Sequence, residues 1–156
     1  YGSWEKFTMA VSRGLRSALD IFVQFPFYGG IMGLIVGSGL LLDFSAWTSS
    51  LSGDHSLGIF TFLSAALVNF FVPSGGGQWA IQGPIIMEAA STLGVPFHKM
   101  ALVFAYGDEI SNLLQPFWAL PLLSISGVLV KKLLPYCFLF FLFGFVYLCL
   151  MIWFVV

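Results

Sequence analysis

Apolar residues dominate the chain in long runs, separated by short polar or glycine-rich breaks. Residues 17–42, 99–127 and 133–156 each reach the length of about 20 mainly apolar residues that a membrane-spanning helix needs. Two shorter apolar arms, 57–72 and 79–93, fall below that length. The pattern predicts an all-α fold of polytopic transmembrane helices within a single membrane domain.

The two short arms are joined by the hexapeptide Pro73–Gln78, which contains a proline and three consecutive glycines. Glycine and proline are the poorest helix formers. Irregular backbone at membrane depth survives only where protein or a watery cavity satisfies it. Arms too short to cross, meeting in a tight polar turn, predict a re-entrant helical hairpin over residues 57–93. Two short tilted spans are the alternative.

The N-terminal region mixes charged and apolar residues before the first long run. Residues 1–16 predict an interfacial amphipathic helix, and residues 17–42 predict a transmembrane helix. Because Pro26 and Gly29 interrupt this run, we expect the helix to be kinked or partly unwound there. The polar stretch 43–56 is predicted to be a loop.

The C-terminal region contains two further predicted spans. Polar residues and prolines between Gly107 and Pro121 predict that the helix over 99–127 is broken. Residues 133–156 form an uninterrupted final span.

Composition and charge support the membrane class. The chain is 59% hydrophobic and 8% charged, whereas soluble domains carry about 25% charged residues. Without a basic stripe, nucleic acid is excluded as a partner. The positive-inside rule places two basic clusters in the cytoplasm and the loop 43–56 outside. The clusters are Lys6, Arg13 and Arg16, and Lys131 and Lys132.

The glycine-rich tip is the first candidate for chemistry. Consecutive glycines can adopt positive φ and direct successive N–H groups into one anion-binding concavity. The helix that follows adds positive potential at its N-terminus. We therefore predict a carboxylate site formed by the residues of the tip: Ser74, Gly75, Gly76, Gly77 and Gln78. A turn that only joins packed helices is the alternative.

The second candidate lies in the predicted broken helix. Ionisable groups in membrane segments are costly and mark ion pathways, so Asp108 and Glu109 are candidates for ion coupling. Asn112 lies one turn beyond Asp108 on the same face of the helix, and it is a candidate both for ion coupling and for substrate binding. Gln115 and Pro116 break the helix and free carbonyls, which extends the predicted substrate site to them. An acid pair solvated at the interface is the alternative.

Other chemistry finds little support. Cys137 and Cys149, like His55 and His98, lack metal-ligand spacing, so no metal site and no cofactor beyond a coupling H⁺ or Na⁺ are expected. No nucleophile–base arrangement or nucleotide-binding motif occurs, and no catalytic residue is predicted.

Three stretches resemble the C-terminal part of the bacterial short-chain fatty acid transporter family, which belongs to the ion transporter superfamily. They are VQFPFYGGI (23–31), VNFFVPSGGGQWAIQGPIIMEAA (68–90) and AYGDEISNLLQPFWALPLLSISG (105–127). The resemblance implies inverted repeats with paired re-entrant hairpins and uptake of short-chain fatty acids by symport across the bacterial inner membrane. Dicarboxylate members carry Ser-Asn-Thr at the tip, where this chain has Ser74-Gly75-Gly76.

Several alternatives stay open at this stage. They are a dicarboxylate or basic amino acid carrier, an intramembrane enzyme, a structural subunit and a non-functional fragment. Since the chain begins with Tyr1, we expect it to be part of a longer protein. Its expected partners are a short-chain carboxylate, the lipid bilayer and the upstream half of the same transporter, and a homo-oligomer remains open.

Overall fold

The computed structural model describes residues 2–17, 19–51, 53, 56–115 and 119–155, and no strand occurs among them. The helices are α1 (Trp4–Ser17), α2 (Leu19–Gly37), α3 (Leu40–Ser50), α4 (Leu57–Asn69), α5 (Gly75–Leu93), α6 (Phe97–Asn112), α7 (Leu120–Ser126) and α8 (Val130–Val155). The predicted all-α class is confirmed.

Helix α4 is the centre of the packing. It lies against α3, α5, α6 and α8, and its contact with α6 is the most extensive between any two helices described. One apolar cluster joins α4 to α5 and α6 through Ala65, Ile86 and Phe104. A second joins α4 to α6 and α8 through Phe62 and Ile152. These two clusters hold α4 and α6 in place around the polar residues described below.

The close approach of α4 and α6 depends on Gly107. A Cβ atom at this position would contact the carbonyl oxygen of Phe62 and lie 2.8 Å from Ala65 Cβ. Glycine is the residue that leaves room for backbone to approach so closely. Gly107 therefore sets the separation of the two central helices.

Much of the surface is apolar. Along α8, Phe140, Phe143 and Trp153 are all at least 60% exposed, which is far more apolar surface than a soluble monomer tolerates. Among the described residues, one helix is both long and apolar enough to cross a membrane, Val130–Phe154. The large apolar surface and this helix agree with a membrane environment.

The first predicted span differs from the structure. Residues 17–42 do not form one kinked helix, because α2 ends at Gly37 and α3 begins at Leu40. Gly39 has a φ of 76° at the break, a conformation that glycine adopts without strain. Pro26 lies inside α2 and does not end it.

The predicted loop 43–56 is also corrected, because α3 continues through Ser50. Asp43 lies in the first turn of α3, where a carboxylate suits the helix dipole. Packing of α3 against α4 and α5 favours helix over the loop that the polar sequence suggests.

The remaining helices lie near their predicted positions. The predicted interfacial helix over 1–16 corresponds to α1, and the predicted span over 133–156 corresponds to α8, which begins earlier and includes Lys131 and Lys132. In the predicted broken helix, α6 ends at Asn112 and α7 begins at Leu120. Pro116 lies outside the described residues.

Within the predicted hairpin, α4 and α5 contact each other across residues 70–74. The second helix begins earlier than predicted, because Gly75, Gly76 and Gly77 belong to α5. The positive φ predicted for these glycines is wrong, since the described residues with positive φ do not include them. The tip glycines therefore form a helical first turn instead of an irregular nest.

Candidate functional site

The N-terminus of α5 is open to solvent and capped by one side chain. Ser74 is extended at the N-cap, and its hydroxyl accepts a hydrogen bond from the N–H of Gly77 at 3.4 Å. Helical geometry leaves the first N–H groups of a helix without an acceptor in that helix. The N–H groups of Gly75 and Gly76 are therefore directed outward at the positive end of the helix dipole.

The carboxyl group of Asp108 lies against this first turn. Asp108 is 7% exposed, and its Oδ2 would be 3.0 Å from a Cβ atom at Gly75. Its Oδ1 has no hydrogen-bond partner within the described part of the chain. The neighbouring Glu109 is exposed, because successive residues of a helix diverge by about 100°. The two predicted ion-coupling acids therefore lie in different environments.

Asn69, at the end of α4, is the main polar link to α6. Its Nδ2 lies 2.8 Å from three acceptors, which are the carbonyl oxygen of Asp108, Ser111 Oγ and Asn112 Oδ1. An amide nitrogen has two N–H groups, so it can satisfy two of the three at once. These bonds hold the part of α6 that contains Asp108 against the end of α4.

Gln78 lies inside the protein, with no exposed surface. Its Nε2 lies 2.8 Å from both the carbonyl oxygen of Ala65 and Gln82 Oε1. Gln82 in turn donates to Ser45 Oγ at 3.1 Å. Both N–H groups of Gln78 are thus engaged in joining α5 to α4 and, through Gln82, to α3. The donors that we expected for the substrate carboxylate are already used inside the protein.

Gln115 follows the end of α6 and provides a further bond between α6 and α4. Its Nε2 donates to the carbonyl oxygen of Phe70 at 2.6 Å, which ties the end of α6 to the end of α4. Pro116, the other residue predicted here, lies outside the described residues. Trp79, which is half-buried, packs against Phe104, with ring centroids 4.8 Å apart.

The structure therefore brings together most of the predicted site residues at one junction, which we call the tip junction. It comprises the α4 end, the α5 start and the α6 end, with residues Asn69, Ser74, Gly75, Gly76, Gly77, Gln78, Asp108, Ser111, Asn112 and Gln115. Four buried oxygen atoms of this junction lack a hydrogen-bond partner among the described residues: Asn69 Oδ1, Gln78 Oε1, Asp108 Oδ1 and Gln115 Oε1. All four are acceptors, so the junction suits a cation or added hydrogen-bond donors.

Sequence reasoning missed Ser111 and Gln82 as parts of this network. Ser111 lies one turn after Asp108, and Gln82 lies one turn after Gln78, so helical spacing alone could have found both. Asn69 bonds across helices, from the end of α4 to α6.

Comparison with known proteins identifies the family of the chain. The profile of the family described as "Short chain fatty acid transporter" matches residues 3–155. The chain belongs to the short-chain fatty acid transporter family. Members of this family are transporters and not enzymes, so the hypothesis of an intramembrane enzyme is set aside.

Relatives from two bacteria carry the name "Putative short-chain fatty acid transporter". The one from Escherichia coli is 43% identical over 86% of this chain and 31% of its own length. The one from Haemophilus influenzae is 40% identical over 88% of this chain and 31% of its own length. The chain thus spans about 31% of the length of these two family relatives.

A third relative, also from Escherichia coli, is named "Putative basic amino acid antiporter YfcC". It is 32% identical over 78% of this chain and 26% of its own length. No solved structure matches the chain.

Proposed function

We propose that this chain forms part of a secondary transporter that takes up short-chain fatty acids across the bacterial inner membrane by symport with H⁺ or Na⁺. The observation that carries the proposal is the exposed first turn of α5, where Gly75 and Gly76 present N–H groups beside a buried acid. Helix N-termini bind anions without a basic residue. The family and its named relatives supply the substrate class, short-chain fatty acids.

The substrate carboxylate is proposed to bind at Ser74, Gly75, Gly76 and Gly77. Gln78 holds this turn in place through its bonds to the Ala65 carbonyl oxygen and Gln82. Asn112 and Gln115 hold α6 to α4 at the edge of the site. Asp108 is the proposed ion-coupling residue, because it is the acid that faces the α5 N-terminus, whereas Glu109 is exposed.

Membrane placement is part of the proposal. With 13 residues, α4 extends about 20 Å at 1.5 Å per residue, which is less than the roughly 30 Å of hydrocarbon. The short α4 supports a re-entrant α4–α5 pair with its tip at mid-membrane, whereas α5, with 19 residues, extends about 28 Å and is nearly as long as the hydrocarbon is thick. The separation of α6 from α7 supports a broken helix. The other half of the substrate site is proposed to come from an inverted repeat upstream, as in many secondary transporters.

Cysteine labelling tests the re-entrant arrangement. Gly76 has no neighbouring atom within 4 Å of the position that a Cβ atom would take, so Gly76→Cys is expected to fold. In a background that lacks Cys137 and Cys149, the new thiol should react slowly with impermeant reagent added outside. Cysteine at exposed Gly53, outside the membrane by the charge pattern, is the reference and should react fast. Fast labelling of position 76 from the cytoplasm alone would favour two complete spans.

Uptake by the full-length transporter tests the substrate. Proteoliposomes that contain it are expected to accumulate labelled butyrate or acetoacetate when a proton or sodium gradient is imposed, because the site binds one carboxylate and one cation. Liposomes without protein and proteoliposomes without a gradient are the controls. Absence of uptake with every short-chain fatty acid would overturn the substrate assignment.

A carrier of basic amino acids is the second candidate, because the 32% identical relative carries that name. An amino acid also presents a carboxylate, so the α5 N-terminus alone does not separate the two substrates. Competition does: excess unlabelled arginine or lysine should leave butyrate uptake unchanged if fatty acids are the substrate. Strong inhibition by both would favour the amino acid carrier.

A further inference from the structure

The anion-binding end of α5 already faces an acid from the chain itself. Both carboxyl oxygens of Asp108 lie within 4 Å of the position that a Cβ atom would take at Gly75, Oδ2 at 3.0 Å and Oδ1 at 3.9 Å. Asp108 is more than nine-tenths buried, and its Oδ1 lacks a hydrogen-bond partner in the described part of the chain. The side chain thus lies where the dipole of α5 favours negative charge.

The described helices packed against α6 provide no cationic side chain to balance this acid. Helix α4 contains no ionisable residue, and α5 contains only Glu88, about three and a half turns beyond Gly75. Helix α8 packs on α6 through Gly144 and Ile110, and its two lysines lie about three turns before Gly144. On α6 itself, His98 and Lys99 lie more than two turns before Asp108, and Glu109 is exposed. The other ionisable groups of α6 and α8 are phenols and thiols, which carry no positive charge: Tyr106, Tyr136, Tyr147, Cys137 and Cys149.

We propose that the Asp108 carboxylate and the substrate carboxylate share the N-terminus of α5, so that substrate binds there only when a cation neutralises Asp108. This inference rests on the proposed function, and it assigns the coupling step to one residue. In the substrate-free state, Asp108 acts as the internal anion of the site. Binding of a cation, H⁺ or Na⁺, at its carboxyl group then frees the positive end of α5 for the substrate.

The expected strength of this linkage follows from electrostatics. Two unit negative charges about 4 Å apart at an effective dielectric constant near 20 repel each other enough to lower affinity about a thousandfold. A substrate carboxylate beside ionised Asp108 meets that repulsion, and one beside neutralised Asp108 does not. Affinity for substrate should therefore rise steeply with the concentration of the coupling cation.

The unpaired acceptors of the tip junction also favour a bound cation. Asn69 Oδ1, Gln78 Oε1 and Gln115 Oε1 are buried without a hydrogen-bond partner among the described residues. Oxygen atoms of this kind attract a proton donor or a cation and oppose a second bare anion. The tip junction can therefore accept added positive charge, whereas the N–H groups proposed for the substrate are those of the α5 turn.

The decisive variant is Asp108→Asn in the full-length transporter, reconstituted in liposomes. We expect it to exchange labelled butyrate for unlabelled butyrate, because the amide carries no charge to repel the substrate. We expect it to lose concentrative uptake, so that internal butyrate reaches only the equilibrium level. Butyrate affinity should depend on the coupling cation in the wild type and be independent of it in the variant.

Two gradients identify the cation, and the outcomes separate this inference from the proposed function. A sodium gradient at fixed pH and a pH gradient without sodium are imposed in turn, and the one that drives wild-type uptake names the ion. If the wild type neither binds nor exchanges butyrate, the proposed function fails. If the wild type is coupled and Asp108→Asn still concentrates butyrate, the shared-site inference is wrong. Glu88→Gln, which removes an exposed acid of α5, is the control and should behave as wild type.

A second variant covers the case in which Asp108→Asn does not fold. Gly75→Ala adds a Cβ atom 3.0 Å from Asp108 Oδ2, so the carboxyl group must move a few tenths of an ångström off the α5 N-terminus. Its charged form then loses favourable interaction with the helix dipole. The cation should consequently bind more readily, and half-maximal butyrate binding should need less of it. An unchanged cation requirement in this variant would contradict the inference.

Discussion

Replacing Gly107 with valine is expected to prevent α4 from packing on α6, so that little folded protein accumulates in the membrane. A Cβ atom at position 107 would contact the carbonyl oxygen of Phe62 and lie 2.8 Å from Ala65 Cβ. Overpacking typically costs about 1–3 kcal/mol. Here the cost should exceed that range, because one opposing atom is a backbone oxygen of a central helix and the other is a Cβ atom attached directly to that backbone, so neither can rotate away. Thermal unfolding in detergent and the yield of membrane-inserted protein measure the effect.

Two matched glycines provide the scale for this prediction. Gly30 in α2 has no neighbouring atom within 4 Å of a Cβ position, so Gly30→Val should change stability by no more than the difference in helix propensity. Gly144 in α8 would place a Cβ atom 2.9 Å from the Cδ1 of Ile110, and that flexible side-chain end can move. Gly144→Val is therefore expected to be intermediate. Equal stability of the Gly107 and Gly30 variants would contradict the close crossing of α4 and α6.

Helices that depend on apolar runs could be predicted from the sequence, and those that depend on tertiary partners could not. The run that became α8 is apolar throughout, so its helix follows from composition alone. The helix α3 has polar residues at most positions after Asp43, which locally favour a loop. It is helical because it packs on α4 and α5, and because its Ser45 is buried as an acceptor for Gln82. The pattern of a single segment does not show such a partner.

The structure brings most of the predicted residues together, but with a geometry that differs from the predicted one. Glycines beside Ser74 indicated an anion site at the start of a helix, and the turn is indeed the start of α5. The sequence could not decide between helical glycines and glycines with positive φ, because glycine adopts both. It also could not show that Asp108 faces Gly75, since that contact joins two residues that are 33 positions apart in the sequence.

The sequence and the structure assign different roles to Gln78, and an experiment can distinguish them. A glutamine at the tip was expected to donate to the substrate carboxylate. In the structure its N–H groups lie 2.8 Å from the Ala65 carbonyl oxygen and Gln82 Oε1, with no surface exposed. Gln78 is therefore a positioning residue that fixes the first turn of α5 against α4.

Gln78→Leu is expected to destabilise the protein by roughly 2–4 kcal/mol, because it removes two buried hydrogen bonds and leaves Gln82 Oε1 without its donor. The double variant Gln78→Leu with Gln82→Leu should be less destabilised than the sum of the two single variants, since it removes both members of the pair together. Thermal unfolding of the wild type and the three variants completes the cycle, and Thr92→Ala, at an exposed position of α5, is the control.

Butyrate affinity decides the role of Gln78. If Gln78 is a positioning residue, butyrate affinity should fall together with stability. Gln78→Asn keeps the amide group on a side chain that is one methylene shorter. It should restore neither stability nor butyrate affinity if the bond to the Ala65 carbonyl oxygen needs the full length of glutamine. A loss of butyrate affinity in Gln78→Leu without loss of stability would return Gln78 to direct contact with the substrate.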